Sequence, residues 1–313
     1  MVSEKPWKPE AILRLGLSLF ICQFFGVLAL AVARYSSGER LLNAWLFGML
    51  VAGSVAGCGA ALFLVRKPWH LDGFRRRAFL LIIFVYLGLT FGAFVAHFAG
   101  HSRSDYSAGH AMVAALSFQG AALVLVHRFL REHELGWVAG FGLSANWPRA
   151  ILYGVLVACA FLPMGQILQI ASAEILTRFH VPFQSQAAVE ALKSSVSWFD
   201  RAALGAVTIG LAPVAEELLF RGLLYPAVKA AGFPRLALWG TSLFFALIHF
   251  NLATFLPLLL LALVLTWLYE RTGNLLAPIV AHATFNAIQF AIFYLLPVAM
   301  EKFEWLRRLG VNG

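Results

Sequence analysis

Charge is what this sequence has least of. Only 12% of the 313 residues are Asp, Glu, Lys or Arg, where a soluble domain carries about a quarter. Cysteine is nearly missing as well. Cys22, Cys58 and Cys159 each lie inside an apolar run, and no CxxC spacing occurs, which argues against a disulfide framework or a zinc knot. There is no internal repeat and no low-complexity segment. What fills the chain instead is apolar: 61% of residues are hydrophobic and the mean hydropathy is +0.79. Apolar content of that size calls for lipid as solvent rather than water.

A bilayer core takes about 20 apolar residues per helical span. On that scale the sequence predicts spans near 11–33, 43–65, 78–100, 110–128, 149–171, 202–225, 236–252, 253–269 and 276–297. The expected fold is all-α, a polytopic transmembrane helical bundle of about eight or nine spans. Residues 1–171 would form N-terminal helices of unassigned role, 172–201 a loop or amphipathic connector, 202–297 the core bearing the chemistry and 298–313 a tail. Within the connector, Ala187 to Ser197 carries apolar residues at roughly helical spacing. Spans 236–252 and 253–269 have little between them, so they form a tight hairpin or one stops short of crossing. Lys5, Lys8 and Arg14 precede an apolar run ending Ala31-Val32-Ala33, which looks like a signal peptide. At about 19 residues the run exceeds a usual signal core, and an uncleaved first span is expected.

The net charge of +9 does not point to nucleic acid. Its basic residues sit in short loops between apolar runs, and Arg66, Lys67, Arg75, Arg76 and Arg77 suit an anionic lipid surface. A cytoplasmic N-terminus puts that cluster inside. Nine spans would leave Lys302, Arg307 and Arg308 outside, against the positive-inside trend, which points to one miscounted span.

Most acids lie in loops or near span ends, but Glu216 and Glu217 fall within LGAVTIGLAPVAEELLFRGLLY. A carboxylate at bilayer depth costs roughly 2.5 kcal/mol or more, so two adjacent ones need partners or a purpose. Glu217 and Arg221, four apart, share a helix face and can pair. Glu216 points about 100° away, free for another task. His249 follows Phe245 by one turn, and His282 precedes Asn286 by one turn. From the helix ends expected at the cytoplasm, Glu216 lies ~15 Å deep, His249 ~20 Å and His282 ~10 Å, one band of depth. There Glu216 could draw a proton from water and His249 could hold that water or shuttle the proton. His282 and Asn286 could donate to a developing oxyanion. The alternative is a metal such as zinc on Glu216, His249 and His282. No HExxH motif favours it, and no serine or cysteine stands beside a histidine as covalent catalysis wants.

Glu216-Glu217-x-x-x-Arg221, Phe245-x-x-x-His249 and His282-x-x-x-Asn286 together resemble the CAAX protease and bacteriocin-processing family of intramembrane proteases. LAPVAEELLFRGLL and LYERTGNLLAPIVAHATFN read like its members, and the resemblance covers about residues 200–296. It implies a membrane helical bundle whose site opens toward the cytoplasm. It also implies Glu216 and His249 as water activators, His282 and Asn286 as oxyanion donors, and Glu217, Arg221 and Phe245 as support. The cofactor stays open: none, or a divalent metal. The expected substrate is a membrane protein or lipidated peptide, in a bacterial cytoplasmic membrane, with no nucleic-acid partner. The alternative function is a non-catalytic scaffold or bacteriocin-immunity protein. An ion-coupled transporter is disfavoured, because no repeat or pair of broken helices occurs.

Overall fold

The computed structural model describes residues 7–36, 112, 115–144, 146–180, 198–249 and 251–292, and every described element is helical. The chain divides into two compact units, Pro6–Gly136 and a second built on Trp137–Gly313. In the first, α1 (Pro9–Ser36) lies over the first expected span. It packs on α2 (Ala121–Glu132) and on the π-helical turn Leu116–Gly120 that leads into α2. Trp7 stacks edge-on against Phe129 at 5.2 Å, and Arg14 pairs with Glu132.

The second unit holds the residues singled out above. Its helices are α3 (Trp137–Phe141), α4 (Trp147–Arg178), α5 (Trp198–Ala230), α6 (Pro234–Leu247), α7 (Leu252–Thr272) and α8 (Leu276–Phe290). Among the described residues, α4, α5 and α7 are long and apolar enough to cross a membrane. The expected spans 43–65 and 78–100, the basic cluster at 66–77, the 187–197 amphipathic stretch and the 298–313 tail lie outside the described residues.

Two helix boundaries differ from the expected ones, the second along the alternative in which one span of the hairpin stops short of crossing. The connector was expected to begin at 172, but α4 runs on to Arg178. Bilayer thickness sets a minimum length for a spanning helix, not a maximum. Its last turns are good helix formers, and Glu174 pairs with Arg178 four residues on at 2.9 Å. The span expected at 236–252 is also shorter. Helix α6 has 14 residues, ~21 Å of rise against a core of about 30 Å. It stops at Leu247 because Asn251 caps the next helix, accepting from the Thr254 N–H at 3.1 Å.

Small residues set the packing. Ala150, Gly154 and Ala158 recur every four residues along α4, which packs against both α7 and α8. A Cβ on Gly154 would lie 2.8 Å from the Ala277 carbonyl oxygen and 2.9 Å from the Val280 side chain. Close approach through small residues is how helices associate in lipid. The core between these helices gathers Phe161, Leu261, Leu265, Leu268, Ala281 and Phe285. Helix α3 locks the α7–α8 turn: Leu275 N–H donates to the Phe141 carbonyl at 3.1 Å, and Asn274 Nδ2 donates to the Leu143 carbonyl at 3.3 Å. Gly273 ends α7 at φ 64°, where an L side chain would be strained.

Helix α5 is not uniform. Its turns at Ala206–Leu211 and Leu218–Leu224 are π-helical, with Ala212 N–H reaching the Val207 carbonyl and Tyr225 N–H the Phe220 carbonyl, five residues back. Each π turn closes just before a proline, Pro213 or Pro226. Proline lacks an N–H and presses on the carbonyl four residues earlier. Widening the turn relieves that pressure without breaking the helix.

Candidate active site

Between the two π turns, the α-helical segment Ala212–Glu217 presents both glutamates. Glu217 is fully buried and Arg221, four residues on in the second π turn, is 1% exposed. Arg221 spends its donors on three partners. Nη1 donates to Glu217 Oε1 at 2.8 Å, Nη2 to the Ala262 carbonyl at 2.8 Å and Nε to Thr266 Oγ1 at 3.3 Å. Its guanidinium also stands 4.8 Å from the Phe245 ring centre, within cation–π range. Arg221 thus ties α5 to α7 while neutralising Glu217. Thr266 and Ala262 had no sequence signal of their own. An apolar run hides which of its hydroxyls and carbonyls will meet a buried cation.

His282 joins the two glutamates. Its Nδ1 is 2.9 Å from Glu217 Oε1, and its Nε2 is 3.9 Å from Glu216 Oε2. The carboxylate can only accept, so Nδ1 carries the proton and Nε2 of the neutral ring is an acceptor. One oxygen of Glu217 therefore takes both Arg221 and His282, and its other oxygen is buried without a partner. The 3.9 Å gap to Glu216 exceeds a direct hydrogen bond.

His249 stands in the turn that closes α6 rather than inside a span, and it is half-buried. Its Nδ1 is 2.7 Å from the Phe245 carbonyl. A carbonyl only accepts, so Nδ1–H donates and Nε2 is the free acceptor. Phe245 is fully buried and sits between the histidines, with ring centres 4.9 Å from His249 and 5.8 Å from His282. Asn286, also half-buried, donates through Nδ2 to the Thr208 carbonyl at 2.9 Å. Thr208 belongs to the first π turn of α5, so Asn286 ties α8 to that turn.

The structure gathers Glu216, Glu217, Arg221, Phe245 and His282 tightly, with His249 and Asn286 at the margin. Among the described residues, no three His, Cys, Asp or Glu side chains come together as a metal-binding group. His282 and His249 each commit Nδ1 to a protein acceptor and keep Nε2 for other contacts.

These features define a helical membrane protein with a buried Glu–Glu–Arg–His network. Residues 198–288 match the family described as type II CAAX prenyl endopeptidase Rce1-like. Among curated proteins the chain is similar to UPF0177 protein YaiF of Lactococcus lactis subsp. lactis (strain IL1403), 27% identical over 161 residues, covering 50% of this chain and 70% of that one. UPF0177 protein YxdF of the same strain is 30% identical over 77 residues, 24% of this chain and 42% of its own length. The uncharacterized protein YpbD of Bacillus subtilis (strain 168) is 36% identical over 78 residues, 24% of this chain and 37% of its own. No solved structure matches the chain.

Proposed function

We propose that the protein is an intramembrane endopeptidase that hydrolyses a peptide bond with water activated by Glu216. The observation that carries this is His282 lying between the two glutamates, with Glu217 fixed by Arg221 and Glu216 in direct ion-pair contact with no Lys or Arg among the described residues. Glu216 then serves as general base, and the free Nε2 of His249 holds the same water or relays its proton. The second N–H of the Asn286 amide is available to the developing oxyanion. With Nδ1 bonded to Glu217, His282 turns Nε2 toward Glu216. The substrate class is a membrane protein or a lipidated peptide. The site opens toward the cytoplasm of a bacterial cell, in a multi-pass topology.

The test is Glu216→Gln in purified protein, assayed on a quenched fluorescent farnesylated peptide and on membrane proteins of the source cell. General-base catalysis typically contributes about 10²–10⁴-fold, so cleavage falls by that order while the unfolding midpoint stays put. Wild-type rates in the variant would sink the proposal. A cellular effect that survives the substitution would instead support a non-catalytic scaffold.

A further inference from the structure

Helix α8 carries one more polar residue on the site's side, and α4 answers it. Gln166 Nε2 donates to Gln289 Oε1 at 2.5 Å, and both side chains are half-buried. That bond uses one amino group and one oxygen. The Gln166 oxygen and the Gln289 amino group have no partner among the described residues. Exchanging O and N in both amides leaves the same inventory. One free acceptor therefore sits beside one free donor, the complement of the N–H and C=O that one residue of an extended chain points to the same side. The neighbourhood is apolar, with Phe161 and Phe285 stacked edge-on at 5.6 Å and Gly165 facing Phe285. Polar groups at membrane depth must find partners. A bond serving only to join the helices leaves half of this pair unmet.

Placement supplies the rest. Gln289 follows His282 by seven residues, two turns on the same face and ~10.5 Å along the axis. An extended peptide advances about 3.3 Å per residue, so that distance spans about three residues. We infer that Gln166 and Gln289 form a backbone clamp for an extended peptide substrate, gripping the N–H and C=O of one residue about three residues from the bond that is cut. The clamp rests on the proposed function for its substrate class, and it positions the chain rather than entering the chemistry.

The test reads binding, so it does not depend on cleavage. The full chain carrying Glu216→Gln is purified in detergent and titrated with a fluorescent farnesylated dodecapeptide. A matched series has each backbone nitrogen N-methylated in turn. A net hydrogen bond is worth about 0.5–1.5 kcal/mol, or roughly 2- to 10-fold. One position of the series should lose affinity by that factor. Adding Gln166→Leu and Gln289→Leu removes both clamp bonds, so it should weaken the unmodified peptide by at least that factor and erase sensitivity at that position alone. The N-methyl scan needs no substitution in the clamp, so misfolding of the variant cannot mask the result. Absence of peptide binding, no position-specific loss, or a loss that persists in the double variant would overturn the clamp. Cleavage by the Glu216-intact chain separates the two proposals. A peptide held with the clamp signature but never cut refutes the protease alone, and one cut without the signature refutes the clamp alone.

Discussion

Replacing Arg221 with methionine tests the network beside its most buried member, Glu217. Methionine keeps much of the side-chain volume and removes three hydrogen bonds and the only strong cation facing Glu217 among the described residues. Glu217 would then be left fully buried with one oxygen on His282 and the other still unpartnered. Removing one partner of a buried ion pair costs about 3–5 kcal/mol. At roughly 1.4 kcal/mol per decade, the unfolded fraction rises by two to more than three powers of ten. The loss should come mainly from the stranded carboxylate. Glu217→Gln added to Arg221→Met should therefore recover about half or more, since the neutral amide still accepts from His282 Nδ1. Arg221→Lys should lose nearly as much as methionine, because one ammonium cannot span Glu217, Ala262 and Thr266 from a single point. Reversible unfolding by SDS in mixed micelles, followed by tryptophan fluorescence, measures all four proteins in a double-mutant cycle. A methionine variant within about 1 kcal/mol of wild type, or a double variant worse than both singles, would refute the stranded-charge account.

Gly154→Leu forces a side chain into the Ala277 carbonyl and Val280, and neither the α8 backbone nor a β-branched side chain yields easily. Overpacking of this kind costs about 1–3 kcal/mol, read by the same unfolding assay, and an unchanged midpoint would deny the close α4–α8 approach. His249→Gln should leave stability within about 0.5 kcal/mol, as substitutions away from a packed network do. It should nevertheless abolish cleavage of the farnesylated peptide, and retained cleavage would remove His249 from the chemistry.

Much of this arrangement is local and so was legible in the sequence. The four-residue spacings of Glu217 with Arg221 and of Phe245 with His249 are contacts inside one helix, and helix geometry alone predicts them. Long apolar runs announced the helices, although not where they end. Helix α4 outlasts its expected span and α6 falls short of its own, because caps and loop packing set those ends, not hydropathy. Contacts between helices were not legible. The bond from His282 to Glu217 joins residues 65 apart, and that from Asn286 to Thr208 joins residues 78 apart. The π turns were also invisible, though Pro213 and Pro226 inside an otherwise helical run were a usable signal of a disturbed ladder. Gln166 and Gln289 escaped notice because each is a lone neutral amide in a different helix.

The division of labour expected from the motif, with Glu217 and Arg221 as support and Glu216 and His282 as chemistry, meets a difficulty at Glu217 Oε1. That single oxygen accepts from both Arg221 and His282. Whatever sets the charge on Glu217 therefore sets the tautomer of His282, and with it whether Nε2 presents a lone pair or a proton toward Glu216. Arg221 donates to Glu217, Glu217 accepts from His282 Nδ1, and Nε2 faces Glu216. Arg221, Glu217 and His282 are consecutive links in one hydrogen-bond chain, with Glu216 3.9 Å beyond its end. Damage to Arg221 should then reach Glu216 through His282 even in molecules that stay folded.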